Sequence, residues 1–448
     1  MFPYIPNNEC DARKMLTKIG VDSIDDLFSD IPPALRLERR LDLEPPKSEL
    51  EVTRLVNQLA DQNSGVNQLT CFLGAGAYDH YVPSIVDHLA GRSEFYTSYT
   101  PYQPEISQGT LRAIFEYQTM ISNITGMGIA NASLYDVQTA VTEAALMSLS
   151  AVRKSDTILV SKGVHPESRK VLKTYCKYRG YKVIEIELND GRTSQQGIAD
   201  NLSDKVAAVI VQSPNFLGVI EDAAAIETAV HQTKAQFVMS VDPIALGYLK
   251  TPGEIGADIV VGEGQALGNY LSYGGPYLGF LAATEKLARK MPGRIVGQSS
   301  DKEGNRAFVL TLQAREQHIR RYKATSNICS NQGIMAVRAT IYLATLGKKG
   351  QREVAEQCIA KAHYAKAALA KLDKINAPFD APFFKEFVIT LDKPVAEVNR
   401  ALAEKGILGG YDLSKDYPEY GNAMLLAVTE KRTKAEIDQL VAALEVIL

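Results

Sequence analysis

Between about residues 105 and 290 the hydrophobic pattern switches repeatedly between two periods. Glu105–Ile124 carries apolar residues at helical spacing and stops at Gly126, and Val137–Lys154 is a second helix rich in Ala, Leu and Met. Short β-branched runs follow, predicting strands at Asp156–Val160, Lys182–Leu188, Val206–Val211, Phe237–Val241, Asp258–Val261 and Tyr277–Ala282. Helices are predicted between them at Pro166–Arg179, where proline suits the first turn, and at Asp222–Thr233. Several strand runs are apolar throughout, as expected for strands covered on both faces. Strand and helix alternating over this length predicts a doubly wound, mostly parallel sheet.

The flanks read differently. Residues 1–65 predict an arm of short helices: Asp22 or Ser23 is placed to cap Ile24–Phe28, Pro32-Pro33 interrupts, and a helical run from Ser48 to Asp61 follows Pro45-Pro46. Residues 66–330 form the large α/β domain. Residues 331–448 form a smaller C-terminal α/β domain, with long helices over 331–371 broken near Gly347, then strand, helix, strand and helix at Phe384–Leu391, Val395–Lys405, Met424–Val428 and Lys434–Val446.

Composition narrows the function classes. The 448 residues include 49 basic and 52 acidic ones, a net charge of −3, so no clustered excess of positive charge points to nucleic acid. No apolar run approaches the roughly 20 residues of a membrane span. The opening MFPYIPNNECDARKML has neither a signal nor a transit pattern, so a cytoplasmic protein is expected. Cys10, Cys71, Cys176, Cys329 and Cys358 are scattered without C-x-x-C spacing, which favours reduced thiols over disulfides or zinc. His80 and His88, beside Asp79 and Asp87, have no third ligand group in the sequence, so no metal is expected.

Ligands of open α/β sheets bind beyond the carboxyl ends of the strands. Asp242-Pro243 follows one predicted strand and GEGQALGN, residues 262–269, follows the next. An aspartate and then a lysine at such places suit pyridoxal phosphate (PLP), the carboxylate keeping the ring nitrogen protonated and the lysine forming an imine. Asp242 is present, though taken alone a turn or cap role accounts for it better. The lysine is missing: Gln265-Ala266 stand in the slot, no lysine occurs between Thr251 and Glu285, and Lys250 is too close to Asp242 in sequence to reach around a ring. The phosphate end also reads poorly. The turn Tyr135-Asp136-Val137-Gln138-Thr139 has no glycine, and Asp136, an N-cap by type, would repel a phosphate. Gly74-Ala75-Gly76 lacks a dinucleotide context, and Ser161, His165 and Asp242 lack a nucleophile motif.

Two further segments attract attention. SEFYTSYTPYQPEISQG, 93–109, is a loop carrying Tyr96, Tyr99, Tyr102 and Gln103, with rings suited either to an interface or pocket or to packing on its own domain. Arg315, His318, Arg320 and Arg321, with Asn327 just beyond, form a charged stretch that reads as an interface anchor or a solvated face.

Taken together, FLGAGAYDHYVP (72–83), SEFYTSYTPYQPEISQGTLRAIFEYQT (93–119), SPNFLGVIED (213–222), GEIGADIVVGEGQALGNYLSYGGPYLGF (253–280), MPGRIVGQ (291–298) and LTLQAREQHIRRYKATSNICSNQ (310–332) resemble one family end to end. It is the glycine-cleavage P-protein, glycine dehydrogenase (decarboxylating), and the resemblance is to the α subunit of its two-subunit prokaryotic form. The family is similar to the aspartate-aminotransferase-like PLP enzymes of fold type I. The resemblance implies that only the β subunit holds PLP on a lysine, at a His-Lys pair matching Gln265-Ala266, so that this chain binds no cofactor covalently and has no catalytic residue of its own. It implies that the two subunits form a heterodimer or an α2β2 assembly. Glycine is decarboxylated there, and the aminomethyl group passes to the lipoyl disulfide of the H-protein. Tyr96, Tyr99, Tyr102, Gln103, Arg315, His318, Arg320, Arg321 and Asn327 are then expected to line the partner's active site or the subunit interface. Two departures fall at Val137, where the family more often has Gly, and at Tyr322, where it more often has Glu. The alternatives are a stand-alone PLP enzyme and a scaffold protein on a degenerate aminotransferase fold.

Overall fold

The computed structural model describes residues 7–37 and 39–448; residues 1–6 and 38 of the expected arm lie outside them. The chain forms two compact units, Met1–Ser64 and Gly65–Leu448. In the first unit, helices α1 (Glu9–Ile19) and α2 (Glu49–Ala60) each start at a capping box, Asn8 with Asp11 and Ser48 with Glu51. Between them the expected helix Ile24–Phe28 is a 3-10 turn, Asp25–Phe28, whose N-cap is Ile24 and not Asp22 or Ser23, although Ser23 Oγ accepts the Asp26 N–H at 3.3 Å. Neither helix has a buried residue, and Leu50, Leu55 and Leu59 stay exposed on α2.

The second unit is built on a seven-stranded sheet. In chain order its strands are β1 (Ile129–Ala130), β2 (Thr157–Ser161), β3 (Lys182–Ile186), β4 (Val206–Ser213), β5 (Gln236–Val241), β6 (Ile259–Glu263) and β7 (Gly279–Ala283). Their spatial order is β1-β7-β6-β5-β4-β2-β3. Strands β2 to β6 pair in parallel, while β7 runs antiparallel to β6 and to β1. Helices α3 (Gln108–Thr125), α4 (Val137–Ala151), α5 (Pro166–Arg179) and α6 (Ala223–Val230) cover it.

Strand β5 explains why the runs are apolar throughout. Phe237 and Met239 join one core, with Tyr117 and Ile121 of α3, whereas Val238 joins the other, with Val141 and Ala144 of α4 and Leu172 of α5. Side chains alternate across a strand, so a sheet buried on both faces needs an apolar residue at every position. Helix α4 was expected to reach Lys154 but ends at Ala151, and Lys154 sits in a turn at φ +67°.

Helix α7 (Gly333–Leu369) is broken at Gly347, which takes φ +57°. Its first half packs Ala336, Ala339 and Tyr342 into the large core, and its last turns pack Ala362, Ala365 and Leu369 into a second one. That second core lies under an antiparallel sheet of order β8-β9-β11-β10, formed by β8 (Ile375–Asn376), β9 (Glu386–Leu391), β10 (Tyr411–Asp412) and β11 (Ala423–Ala427). Helices α8 (Val395–Glu404) and α9 (Lys434–Ile447) complete it.

One contact between the two sheets positions the site. The loop after β4 lies on the segment leading into β9: Ile220 N–H donates to Pro382 O at 2.8 Å, beside an isolated bridge between Val219 and Phe383. Gly218, at φ +84°, is required here, because a Cβ would meet Glu386 O at 2.0 Å. Lys385 and Glu386 thereby face the carboxyl ends of β5 and β6.

Candidate functional site

A cavity of about 50 Å³ opens beyond the ends of β4, β5 and β6, lined among others by Tyr78, His165, Asp242, Ala266 and Lys385. Asp242 follows the last residue of β5. Its Oδ1 accepts the Ile244 N–H at 2.9 Å, which is the turn role expected of it. Its Oδ2 lies 2.6 Å from Lys385 Nζ. Lys385 is 1% exposed and has further partners: His80 Nε2 at 2.9 Å and the ring face of Tyr78 at 3.5 Å from the centroid. A buried ammonium needs such partners to remain charged. His80 Nδ1 in turn pairs with Glu430 Oε2 at 2.6 Å. Burial opposes ionisation of Glu430, but His80 and the Tyr81 N–H hold its carboxyl down to about 2. His80, Cys358 and Glu430 bring their donor atoms within 4.8 Å of one another, yet the lone pair of His80 Nε2 is taken by the Lys385 ammonium.

The other end of the cavity is the first turn of α4. Chain and sheet approach closely there: Leu134 bridges to Gly279 of β7, and a Cβ on Gly279 would meet Asp136 O at 2.3 Å. Asp136 is the N-cap, its Oδ1 accepting the Thr139 N–H at 2.7 Å. The next free amide, Val137 N–H, donates to Glu263 Oε2 at 3.1 Å. Glu263 Oε1 accepts two more, from Leu278 at 2.7 Å and Gln265 at 3.1 Å. Burial pushes the Glu263 carboxyl up to about 7 against the pull of these three N–H groups.

Gln265 and Ala266 are both buried. The Gln265 amide accepts the Tyr78 N–H at 2.9 Å and donates to Tyr78 O and Asn269 O, which locks the turn. Ala266 is the residue of the pair that lines the cavity. His165 caps α5 by accepting the Glu167 N–H on Nδ1 at 3.2 Å, and its Nε2 meets Ala75 O at 3.0 Å, so the ring is the neutral Nε2–H tautomer. Burial lowers its pKa accordingly. Ser161 bonds to Thr193 at 2.7 Å, away from His165, and no triad forms. Glu386 accepts the Ala75 N–H and the Tyr78 O–H, and burial pushes it up to about 7.

PLP does not fit these residues. Asp242 already holds a cation, the Val137 and Thr139 amides of α4 already hold carboxylates, Ala266 offers no amine, and the free volume admits a few waters and no substituted ring.

The tyrosine loop forms a separate feature. Tyr96, Tyr99 and Tyr102 are exposed, Tyr99 at 88%. Gln103 is exposed as well. A second cavity, about 270 Å³, lies beneath the loop and is lined by Tyr96, Tyr99, Pro101, Ile114, Asn331 and Val337. Tyr102 is tied to its own chain: its hydroxyl accepts from Arg294 Nη2 at 3.0 Å, and the His318 ring meets it edge-on at 6.2 Å. Arg315 turns inward and donates to Met291 O at 2.5 Å and Gly293 O at 2.6 Å. Arg320, Arg321 and Asn327 are exposed. The structure therefore brings Tyr102 and His318 together, next to Arg294, and leaves Arg320, Arg321 and Asn327 on the surface. Lys385, Tyr78, Glu430, Glu263 and Glu386 escape sequence reasoning. The one signal for the C-terminal pair is that Lys385-Glu386 interrupts an otherwise aromatic run, Phe383-Phe384 and Phe387.

The sequence model described as glycine cleavage system P-protein matches residues 3–444. The chain belongs to the P-protein family. This P-protein chain is 55% identical, over 98% of each sequence, to a probable glycine dehydrogenase (decarboxylating) subunit 1 of Geobacillus sp. (strain WCH70). It is 54% identical, over 99% of each, to one of the same name from Moorella thermoacetica. A crystal structure of glycine decarboxylase (P-protein) of the glycine cleavage system, in inhibitor-bound form, superposes with a TM-score of 0.93 at 44% identity, covering 99% of this chain and 100% of that one. The glutamate decarboxylase of Lactobacillus brevis superposes at 0.71 with 15% identity over 92% and 95%, a likeness of fold alone. The fold is the aspartate-aminotransferase-like, type I fold of PLP enzymes. No helix of the described residues is long and apolar enough to cross a membrane.

Proposed function

We propose that this chain is the non-catalytic α subunit of a two-subunit glycine decarboxylase, acting in the cytoplasm with a β subunit that carries PLP. The assembly removes CO₂ from glycine and passes the aminomethyl group to the lipoyl arm of an H-protein. When bound on the partner, PLP supplies the electron sink for decarboxylation. The observation that carries the reading is Ala266: the residue facing the cavity at the lysine slot has no amine.

The exposed tyrosine face is this chain's own contribution. Tyr96 and Tyr99 present amphipathic rings above the 270 Å³ cavity, and such rings suit a surface that packs on a partner and keeps water from its pocket. Tyr102, fixed by Arg294, would orient the loop, with Gln103 at its tip. Arg321 and the outer nitrogens of Arg320, whose Nε–H donates to Ala314 O, are exposed to meet acidic groups of the partner or of the H-protein, with Asn327 nearby, while Arg315 and His318 hold the segment that presents them.

Lys385 favours one rival, a stand-alone enzyme that forms its imine on this lysine, because it lines the cavity. Geometry argues against it. The aldehyde carbon of PLP is para to the ring nitrogen, so a ring condensed on Lys385 Nζ would start at Asp242 and carry its nitrogen away from that carboxylate. Reconstitution tests the reading: decarboxylation of glycine, followed as CO₂ release, is expected from the two chains with H-protein and from neither alone. CO₂ release by this chain alone would reject it.

A further inference from the structure

The two charged ends of the cavity are satisfied by opposite charges from the chain itself. At the end of β5, the Asp242 carboxylate faces the Lys385 ammonium at 2.6 Å. At the start of α4, the Val137 N–H faces the Glu263 carboxylate at 3.1 Å, and Asp136 takes Thr139 N–H. A phosphorylated pyridine has the same two charges in the same sense: a protonated ring nitrogen that seeks a carboxylate and a phosphate that seeks a helix N-terminus. We propose that the cavity is a self-liganded cofactor site, in which Lys385 replaces the ring nitrogen and Glu263 replaces the phosphate, so that the chain folds without PLP and excludes it.

Three observations on this chain bear on the proposal. Lys385 is not a surface lysine folded in by chance: at 1% exposure it is bonded to Asp242 and His80, and the Tyr78 ring lies over it. Both Glu263 oxygens accept N–H groups, three in all, so the donors at this end of the cavity are already taken by a group of this chain. The slot itself offers no amine, since the residue of the pair that lines the cavity is Ala266, 3% exposed. A bare, cofactor-stripped pocket would instead leave Asp242 unpaired and the α4 amides open to water. Burying one unpaired carboxylate is costly, so a chain without the cofactor gains stability by pairing Asp242 internally.

The proposal goes beyond the subunit reading and is tested on this chain alone, without decarboxylation. Ala266→Lys restores an amine at the slot. PLP is added, the imine is reduced with borohydride, and label at position 266 is measured by peptide mass against the exposed Lys250. With only Ala266→Lys, label at 266 is expected to stay at or below the Lys250 level, because both ends remain filled. Adding Lys385→Met and Glu263→Ala is expected to raise it at least tenfold. Strong labelling of the single variant, or no rise in the triple variant, would overturn the proposal. A second measurement needs no folded variant: in the unmodified chain, Lys385 is expected to react with acetic anhydride at least tenfold more slowly than Lys250, and equal rates would overturn it. Failure here leaves the subunit reading standing, since that reading is tested by decarboxylation of glycine with and without the β subunit.

Discussion

Lys385 Nζ and Asp242 Oδ2 meet at 2.6 Å across the junction between the large sheet and the segment entering β9. They lie far apart in the sequence; Lys385 is buried and the Asp242 side chain is 12% exposed. The pair joins the carboxyl end of β5 to the segment that leads into β9.

Breaking that pair has a defined cost. Lys385→Met leaves the Asp242 carboxylate buried without a partner, and Asp242→Asn does the same to the ammonium. Each is expected to lower the unfolding free energy by about 3–5 kcal/mol. The double variant Lys385→Met/Asp242→Asn removes both charges and is expected to recover at least about 2 kcal/mol of the summed loss. Urea titration of the four proteins checks this, and strict additivity would show that the two groups do not act as a pair.

Stability is expected to fall as pH rises from about 4.5 to 7. Burial raises Glu263 and Glu386 from 4.5 to about 7. A raised carboxyl binds its proton more tightly folded than unfolded, so its contribution is fully present below about pH 4.5 and is lost as pH approaches 7. Each group accounts for roughly 1–3 kcal/mol over that window. Glu430 is held at about 2 and has the opposite sign, but its stabilisation is lost only as pH falls from about 4.5 toward 2. Glu386→Gln is therefore expected to flatten the slope between pH 5 and 7, as read from the denaturation midpoint at each pH.

The Tyr102 hydroxyl bond to Arg294 is expected to matter to the loop rather than to the fold. Tyr102→Phe removes about 0.5–1.5 kcal/mol of interaction, a 2–10-fold effect. It is expected to lower decarboxylation by the assembled subunits by that factor while leaving their dissociation constant nearly unchanged. An unchanged rate with weakened assembly would reject the loop's role at the partner's pocket. Tyr99→Ala, which removes an exposed ring, is expected to weaken assembly instead.

The arginines divide into two kinds. Arg315→Ala strands two backbone carbonyls and is expected to cost about 1.5–3 kcal/mol of stability, seen as a lower melting temperature. Arg320→Glu and Arg321→Glu sit on the surface and are expected to stay within about 0.5 kcal/mol of the parent. Their effect is expected in assembly or in the H-protein dependence of the rate. Charge reversal that changes neither would remove them from the interface.

The hydrophobic pattern made most of the large sheet legible, because a strand buried on both faces carries its burial in every residue; Pro166–Arg179 is bounded by a proline and a glycine and was readable to the residue. The break at Gly347 was readable for the same reason. The site was legible only by what it lacks. Asp242 and Gln265-Ala266 stand in order along the chain, but Lys385 lies over a hundred residues beyond them and meets Asp242 only through the packing of β9 on the loop after β4. Glu263 stood in view inside GEGQ, yet its role depends on the Val137 amide, which only the close passage over Gly279 brings near. Arg315 and Arg320 looked alike by spacing, and only the backbone carbonyls of Met291 and Gly293 tell them apart.

The most direct test of the central claim is to co-purify this chain with its β partner, add PLP, reduce with borohydride and locate the pyridoxyl group by peptide mass in both chains. The account predicts label on one lysine of the partner and none on this chain above its exposed lysines. Stoichiometric label on this chain, at Lys385 or elsewhere, would contradict it.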